Sequence, residues 1–255
     1  MLAANITRLI QLLLMIIVLQ IKSVYAQQGS GYQVLETLDH NPSYFTQGLE
    51  VHDGLMFESS GLYEKSKIRK YKPDTDEALL EVPLADKYFA EGLTLFENEL
   101  FVLTWKENTL LVIDPDNLKV KRELTYVGQG WGLASNGNQL IMSNGSDKIY
   151  FRNPDSFKIE NELKVRYKQR AVQRLNELEF AQGYIWANIW LTPAIVKINP
   201  TSGAVVAVYD LENLVKKHSS GSDERVLNGI AYDHKRGAYW ITGKLWPKRY
   251  LVKFD

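Results

Sequence analysis

One short pattern recurs five times along this 255-residue chain and constrains its fold more than any other feature. It reads Gln47-Gly48-Leu49, Glu91-Gly92-Leu93, Trp131-Gly132-Leu133, Asn176-Glu177-Leu178 and Asn228-Gly229-Ile230, with the aliphatic anchors 44, 40, 45 and 52 residues apart. Each anchor opens a short apolar strand. A turn follows at Asp53-Gly54, Glu97-Asn98, Asn136-Gly137, Gln182-Gly183 or Arg236-Gly237, and then a second strand. Third strands are expected at 110–114, 149–152, 195–199 and 250–254, followed by Pro and Asn or Asp turns such as Asp114-Pro115-Asp116 and Asn153-Pro154-Asp155. Fourth strands are expected at 79–82, 160–165 and 205–209. Four antiparallel strands recurring at this period describe a β-propeller, whose blades bury their faces against their neighbours around a central channel.

Five units predict an all-β, five-bladed β-propeller. The last repeat stops after its third strand at Asp255, while a lone strand-like segment, Tyr32 to Leu38, precedes the first. That N-terminal strand is expected to complete the last blade, which closes the ring and removes an exposed sheet edge. The insertion from Asp210 to Arg225 reads as a short helical turn and a Ser/Gly loop over one rim, and the basic run Lys164 to Arg174 as a solvated outer strand and loop.

Residues 1–26 have the layout of a signal peptide: one early cation, Arg8, an apolar stretch from Leu9 to Ile21, and Val24 and Ala26 at the −3 and −1 positions of a cleavage site. The apolar stretch is short for a membrane-spanning helix. The expectation is therefore an exported protein, periplasmic or secreted, whose mature domain is 27–255, begins with Gln27 and keeps no stable membrane association. The chain has no Cys, so thiol catalysis is excluded and the core must be stable without disulfides. Its four histidines, His40, His52, His218 and His234, show no zinc-ligand spacing. With 30 basic and 30 acidic residues nothing suggests a nucleic-acid face, and a monomer is expected.

In a propeller blade the first strand is innermost and the second runs back beside it, so the start of one and the end of the other share a rim. Two rings follow. Two residues before each anchor lie Gln47, Glu91, Trp131, Asn176 and Asn228; at the ends of the second strands lie Gly61, Trp105, Gly145, Trp190 and Lys244. A purely structural repeat would fill these positions alike. Here they hold one carboxylate, one ammonium, three amides, three indoles and two glycines, so function is expected at this rim. Trp186 and Trp240, inside second strands, read as core, and Trp246 falls in neither ring. Asn144-Gly145-Ser146 matches a glycosylation pattern, but its place at the inner rim argues against a glycan.

The segments Phe45-Thr46-Gln47-Gly48-Leu49, Glu91-Gly92-Leu93-Thr94, Gly130-Trp131-Gly132-Leu133, Leu175-Asn176-Glu177-Leu178-Glu179 with Ile185-Trp186-Ala187-Asn188-Ile189-Trp190, and Leu227-Asn228-Gly229-Ile230 with Thr242-Gly243-Lys244-Leu245-Trp246-Pro247 resemble, in order and one set per blade, the plant-type glutaminyl-peptide cyclotransferase family. The resemblance covers essentially the whole mature chain. It implies a five-bladed propeller that converts the N-terminal glutamine of peptides and proteins into pyroglutamate and releases ammonia. It assigns the general acid/base role to Glu91, a substrate enclosure to Trp105, Trp131 and Trp190, amide and oxyanion contacts to Gln47, Asn176 and Lys244, and a further pocket aromatic to Phe45. Asn228 joins the substrate-binding set from the repeat register alone. The attacking amine arrives with the substrate, so no protein nucleophile is needed. No cofactor is expected for catalysis, and the pattern leaves room for a structural divalent ion in the channel. Two other readings stay open: a non-enzymatic propeller that binds peptide or sugar at its rim, and a metal-dependent hydrolase, which would want several converging carboxylates where the rings offer one. If cleavage follows Ala26, Gln27 itself becomes a substrate of this chemistry.

Overall fold

The structure, a computed structural model, describes residues 31–218 and 224–255. The signal-peptide reading, Gln27 and the Ser/Gly part of the late insertion lie outside the described residues. After β1 (Tyr32–Asp39), four-stranded antiparallel sheets follow in chain order. The first blade is β2 (Thr46–His52), β3 (Leu55–Ser60), β4 (Lys67–Tyr71) and β5 (Ala78–Pro83). The second is β6 (Ala90–Phe96), β7 (Glu99–Thr104), β8 (Thr109–Ile113) and β9 (Val120–Thr125). The third is β10 (Leu133–Ser135), β11 (Leu140–Ser143), β12 (Lys148–Arg152) and β13 (Ile159–Lys164), after which β14 (Arg166–Tyr167) and β15 (Arg170–Ala171) pair as a small hairpin. That hairpin is where the basic run lies. The fourth blade is β16 (Leu175–Ala181), β17 (Tyr184–Ile189), β18 (Ala194–Ile198) and β19 (Val205–Asp210), followed by the expected helical turn, α1 (Glu212–Val215).

The fifth blade is β20 (Leu227–Asp233), β21 (Ala238–Gly243), β22 (Lys248–Phe254) and, at its outer edge, β1. The strand that opens the described chain thus pairs antiparallel with the one that ends it, from Tyr32 opposite Phe254 to Asp39 opposite Lys248. Five blades and this closure are what the repeats predict.

Strand residues alternate between the two faces of a sheet, and in a propeller both faces of the middle strands are buried. In β7, Leu100 and Val102 therefore pack toward the first blade, with Phe57 and Ile68, while Phe101 and Leu103 pack toward the third, with Leu133 and Met142. This is why second strands read as continuous apolar runs. Outer strands face water on one side and carry charge, as in Lys121, Arg122 and Glu123 of β9, which blunts the edge against pairing. Trp186 and Trp240 are core, as expected, and Trp246 is also fully buried, its ring tilted against that of His218 with centroids 4.4 Å apart.

The glycine of the repeat has a steric cause. A Cβ on Gly48 would lie 2.4 Å from Leu93 N, and one on Gly132 would lie 2.0 Å from Asn176 O, because adjacent first strands crowd together near the axis. The fourth blade carries Glu177 instead. Its buried carboxylate accepts from Ile230 N at 2.7 Å and Leu49 N at 3.3 Å, so it ties three blades together across the channel.

Candidate active site

The two rings predicted from the register do share a rim. In four blades the N–H of the second-ring residue donates to the carbonyl two residues before the first-ring residue: Gly61 to Phe45, Trp105 to Phe89, Trp190 to Arg174 and Lys244 to Val226, each at 2.9 Å. The shorter third blade differs, and there Gly145 N reaches Leu175 O. The β2–β3, β6–β7, β16–β17 and β20–β21 ladders each slip register where the first-ring residue sits, between Thr46 and Gly48, Ala90 and Leu93, Leu175 and Leu178, and Leu227 and Ile230. Such bulges leave a residue outside the ladder and turn its side chain, in β2, β6 and β16 into one cavity.

A cavity of about 360 Å³ opens at this rim. Eight of the nine predicted residues line it: Phe45, Gln47, Glu91, Trp105, Trp131, Asn176, Trp190 and Lys244. Its polar floor is buried, whereas the aromatic walls are only half-buried. Trp131 and Trp190 meet edge to face, with centroids 5.4 Å apart at 86°. Opposite them, Phe89 touches Phe45, Tyr63 and Trp105 at centroid distances of 6.2, 5.4 and 5.5 Å. Gln129, outside the cavity lining, accepts from both Trp105 Nε1 and Trp131 Nε1 at 3.0 Å and so fixes the two indoles relative to one another.

Asn228 is the correction. It does not line the cavity. It is fully buried behind Gln47, and its Nδ2 donates to Thr46 O at 2.9 Å and to Gln47 Oε1 at 3.3 Å. The bulge at Asn228-Gly229 turns that side chain toward β2 rather than into the cavity. Phe89, Leu62, Leu191, Glu224 and Val226 line the cavity without having been predicted. Phe89 is within reach of the register, since it precedes Glu91 by two residues just as Phe45 precedes Gln47, and alternate residues share a face. Glu224, at the end of the late insertion, adds a second carboxylate to the cavity beyond the one in the rings.

The electrostatics follow from burial. Desolvation pushes the Glu91 carboxyl well above its ordinary value; Lys244 opposes that shift and Glu107 adds to it. Desolvation also brings the Lys244 ammonium down to about 8, against the pull of Glu91 and Glu224. Gln47 Nε2 donates to Glu91 Oε1 at 3.2 Å, and the Lys244 ammonium lies 4.6 Å from the Phe45 ring centroid. Asn176 Oδ1 is buried at the floor with no hydrogen-bond partner among the described residues. An acceptor left so costs roughly 1–3 kcal/mol, which a ligand N–H would recover.

Farther down the channel the carboxyls of Glu50, Glu177 and Glu179 come close enough to perturb one another. Their oxygens already accept hydrogen bonds, from Thr94 Oγ1 to Glu50 and from Tyr232 N to Glu179, besides those to Glu177. Among the described residues no group of three or more His, Asp or Glu is disposed to hold a metal ion.

Comparison with known proteins agrees with this geometry. A family model described as glutamine cyclotransferase matches residues 9–254. The chain is 39% identical over 227 residues to the glutaminyl-peptide cyclotransferase of Arabidopsis thaliana, covering 87% of this chain and 70% of that one. It superposes on the crystal structure of Myxococcus xanthus glutaminyl cyclase with a TM-score of 0.83 at 34% identity, over 88% of this chain and 96% of that one. The WD40 propeller domain of Doa1, at 11% identity and a TM-score of 0.50 over 80% of this chain and 62% of that one, shares the fold alone. A propeller whose rim gathers a buried carboxylate, amides and indoles, matched along nearly its whole length, belongs to the glutamine cyclotransferase family.

Proposed function

We propose that this protein cyclises the N-terminal glutamine of peptides and proteins to pyroglutamate with release of ammonia, and that Glu91 carries the proton. One observation supports the reading most directly: Glu91, on the buried floor of an aromatic-walled cavity, has a carboxyl held well above its ordinary range by burial. A carboxyl raised above its ordinary range holds a proton more readily than a free one and can both take and return it.

The substrate's α-amine, with a pKa near about 8, is partly protonated at neutral pH. Glu91 accepts the proton that the amine must lose as its nitrogen bonds to the side-chain Cδ, and the carbonyl electron pair moves onto oxygen. When that pair returns and the C–N bond breaks, Glu91 gives the proton to the departing nitrogen, which leaves as ammonia. Lys244 stabilises the developing oxyanion, and Asn176 Oδ1 takes an N–H of the substrate. Trp105, Trp131 and Trp190 hold the side chain curled over its own amine and keep out water, which would otherwise compete as nucleophile. Every step is performed by side chains, and neither the proton transfer nor the oxyanion contact calls for a cofactor.

The test is ammonia release from a short peptide beginning with glutamine, with and without a strong zinc chelator, beside Glu91→Gln. Chelator-resistant turnover in the wild type, lost in Glu91→Gln, is expected. A protein that binds such peptides without turnover would be a binding propeller instead. Export and cleavage after Ala26 belong to the same proposal. Intact mass of the secreted protein is expected to show Gln27 first and lighter by one ammonia; an uncyclised Gln27 would remove the idea that the enzyme acts on itself.

A further inference from the structure

The amide of Gln47 touches Glu91, and which of its ends does so is decided outside the cavity. The carbonyl of Thr46 can only accept, so the Asn228 amide must present Nδ2 to it, as it does at 2.9 Å. The same nitrogen lies 3.3 Å from the side-chain oxygen of Gln47. Turned the other way, Gln47 would set its NH2 against the NH2 of Asn228 and its carbonyl against the ionised carboxylate of Glu91, two repulsive contacts among groups that are all nearly or fully buried. A backbone carbonyl thus orients one amide, that amide orients the next, and the second amide donates to Glu91 Oε1 at 3.2 Å.

We infer that Asn228 is a positioning residue for catalysis: by fixing the orientation of Gln47 it keeps a donor on Glu91 Oε1, favours the ionised carboxylate and leaves Oε2 to exchange the substrate's proton. The inference rests on the proton-carrier role given to Glu91. Asn228 itself does not line the cavity, so its effect on the substrate runs through Gln47 and Glu91. Among the described residues the other titratable groups facing Glu91 are Lys244 from the fifth blade, Glu107 from the turn after β7, and the phenols of Tyr63 and Tyr126, whose ionisation the Glu91 charge opposes. None of them bonds to the Asn228 amide.

The experiment is a pH profile of kcat and KM on a glutaminyl peptide for wild type, Asn228→Ala, Gln47→Ala and the double variant. Asn228→Ala is expected to lower kcat about tenfold with little change in KM, as loss of an outer orienting partner does. It is also expected to move the acid limb to higher pH, because the ionised carboxylate loses an oriented donor. In the Gln47→Ala background, Asn228→Ala should change nothing further. An unmoved acid limb, or additive effects of the two substitutions, would overturn the inference. If Asn228→Ala does not fold, Gln47→Met, which keeps volume but donates nothing, must shift the limb in the same direction, and an unmoved limb there overturns it equally. Carbon-13 NMR titration of the Glu91 carboxyl in wild type and Asn228→Ala reads the shift without turnover. A wild type that releases no ammonia therefore counts against the cyclotransferase reading alone.

Discussion

Trp131 and Trp190 meet edge to face, with ring centroids 5.4 Å apart, although the two residues come from different blades. The first-ring residue of one blade and the second-ring residue of the next become neighbours only when the two blades pack together, so this wall of the cavity is a product of the fold. Both indoles are only half-buried, and their removal takes little from the core. Trp190→Ala is expected to lower kcat/KM about 10- to 100-fold, the worth of one aromatic contact and the water exclusion it provides. Its melting temperature should change little. Steady-state kinetics beside thermal melting check both halves.

Lys244 and Glu91 are buried in one cavity, and each favours the charged form of the other. In Lys244→Met the carboxyl loses that support and holds its proton to higher pH, so the acid limb of kcat/KM should move upward, with turnover at pH 7 down about 10- to 100-fold. Lys244→Arg keeps the charge and should leave the acid limb near its wild-type position. Because arginine does not titrate in this range, the fall contributed by Lys244 near about 8 should disappear from the alkaline side. A pH–rate profile of the three proteins decides.

Most of this site is legible in the repeat itself. The two-residue strand period and the shared rim bring seven of the predicted residues to one cavity, because a closed ring leaves the start of β6 or the end of β17 nowhere else to point, and Phe45, the eighth, is assigned by the family resemblance. What stays hidden depends on departures from the repeat. Leu62 and Leu191 reach the cavity mouth from left-handed backbone, at φ 93° and 62°, a conformation that sequence does not announce for leucine. Gln129 acts from an irregular segment between blades, where no register applies. Asn228 occupies a ring position, yet its bulge aims it at the neighbouring strand, and strand alternation cannot foresee a bulge's direction.

Glu58 anchors the first blade in a way no repeat position reveals. Its buried carboxylate accepts from Arg69 Nε at 2.9 Å, Thr46 Oγ1 at 2.6 Å and the hydroxyl of Tyr71 at 2.9 Å, and it meets His40 Nε2 at 2.9 Å. Burial works against its charge, but Arg69 and His40 outweigh burial and hold the carboxyl far below its usual range. A depressed folded value means that this contribution is complete above the unfolded carboxyl pKa, about 4.3, and is lost as pH falls toward the folded one. Glu58→Gln leaves Arg69 with Asp76 as its remaining carboxylate and is expected to cost about 3 kcal/mol at pH 7. The difference from wild type should shrink below about pH 4. Urea unfolding at both pH values tests the size and the sign.

The closing seam carries the last prediction. Strand β22 pairs with β21 on one side and with β1 on the other, and Arg236–Glu36 at 2.6 Å and Lys248–Asp39 at 2.5 Å add ion pairs along the same seam. These pairs are solvent-exposed and screened by water, so the backbone ladder and the cover it gives to β22 dominate. Removing β1 would leave β22 as an open, largely apolar edge whose residues Tyr250, Leu251 and Val252 are buried in the intact protein. A chain beginning at residue 40 is therefore expected to lose its cooperative melting transition and to associate through that edge, whereas Arg236→Ala and Lys248→Ala together should melt within a few degrees of wild type. Circular dichroism and light scattering separate the outcomes. A truncated chain that stayed monomeric and melted like the wild type would show that the ring holds without its N-terminal strand.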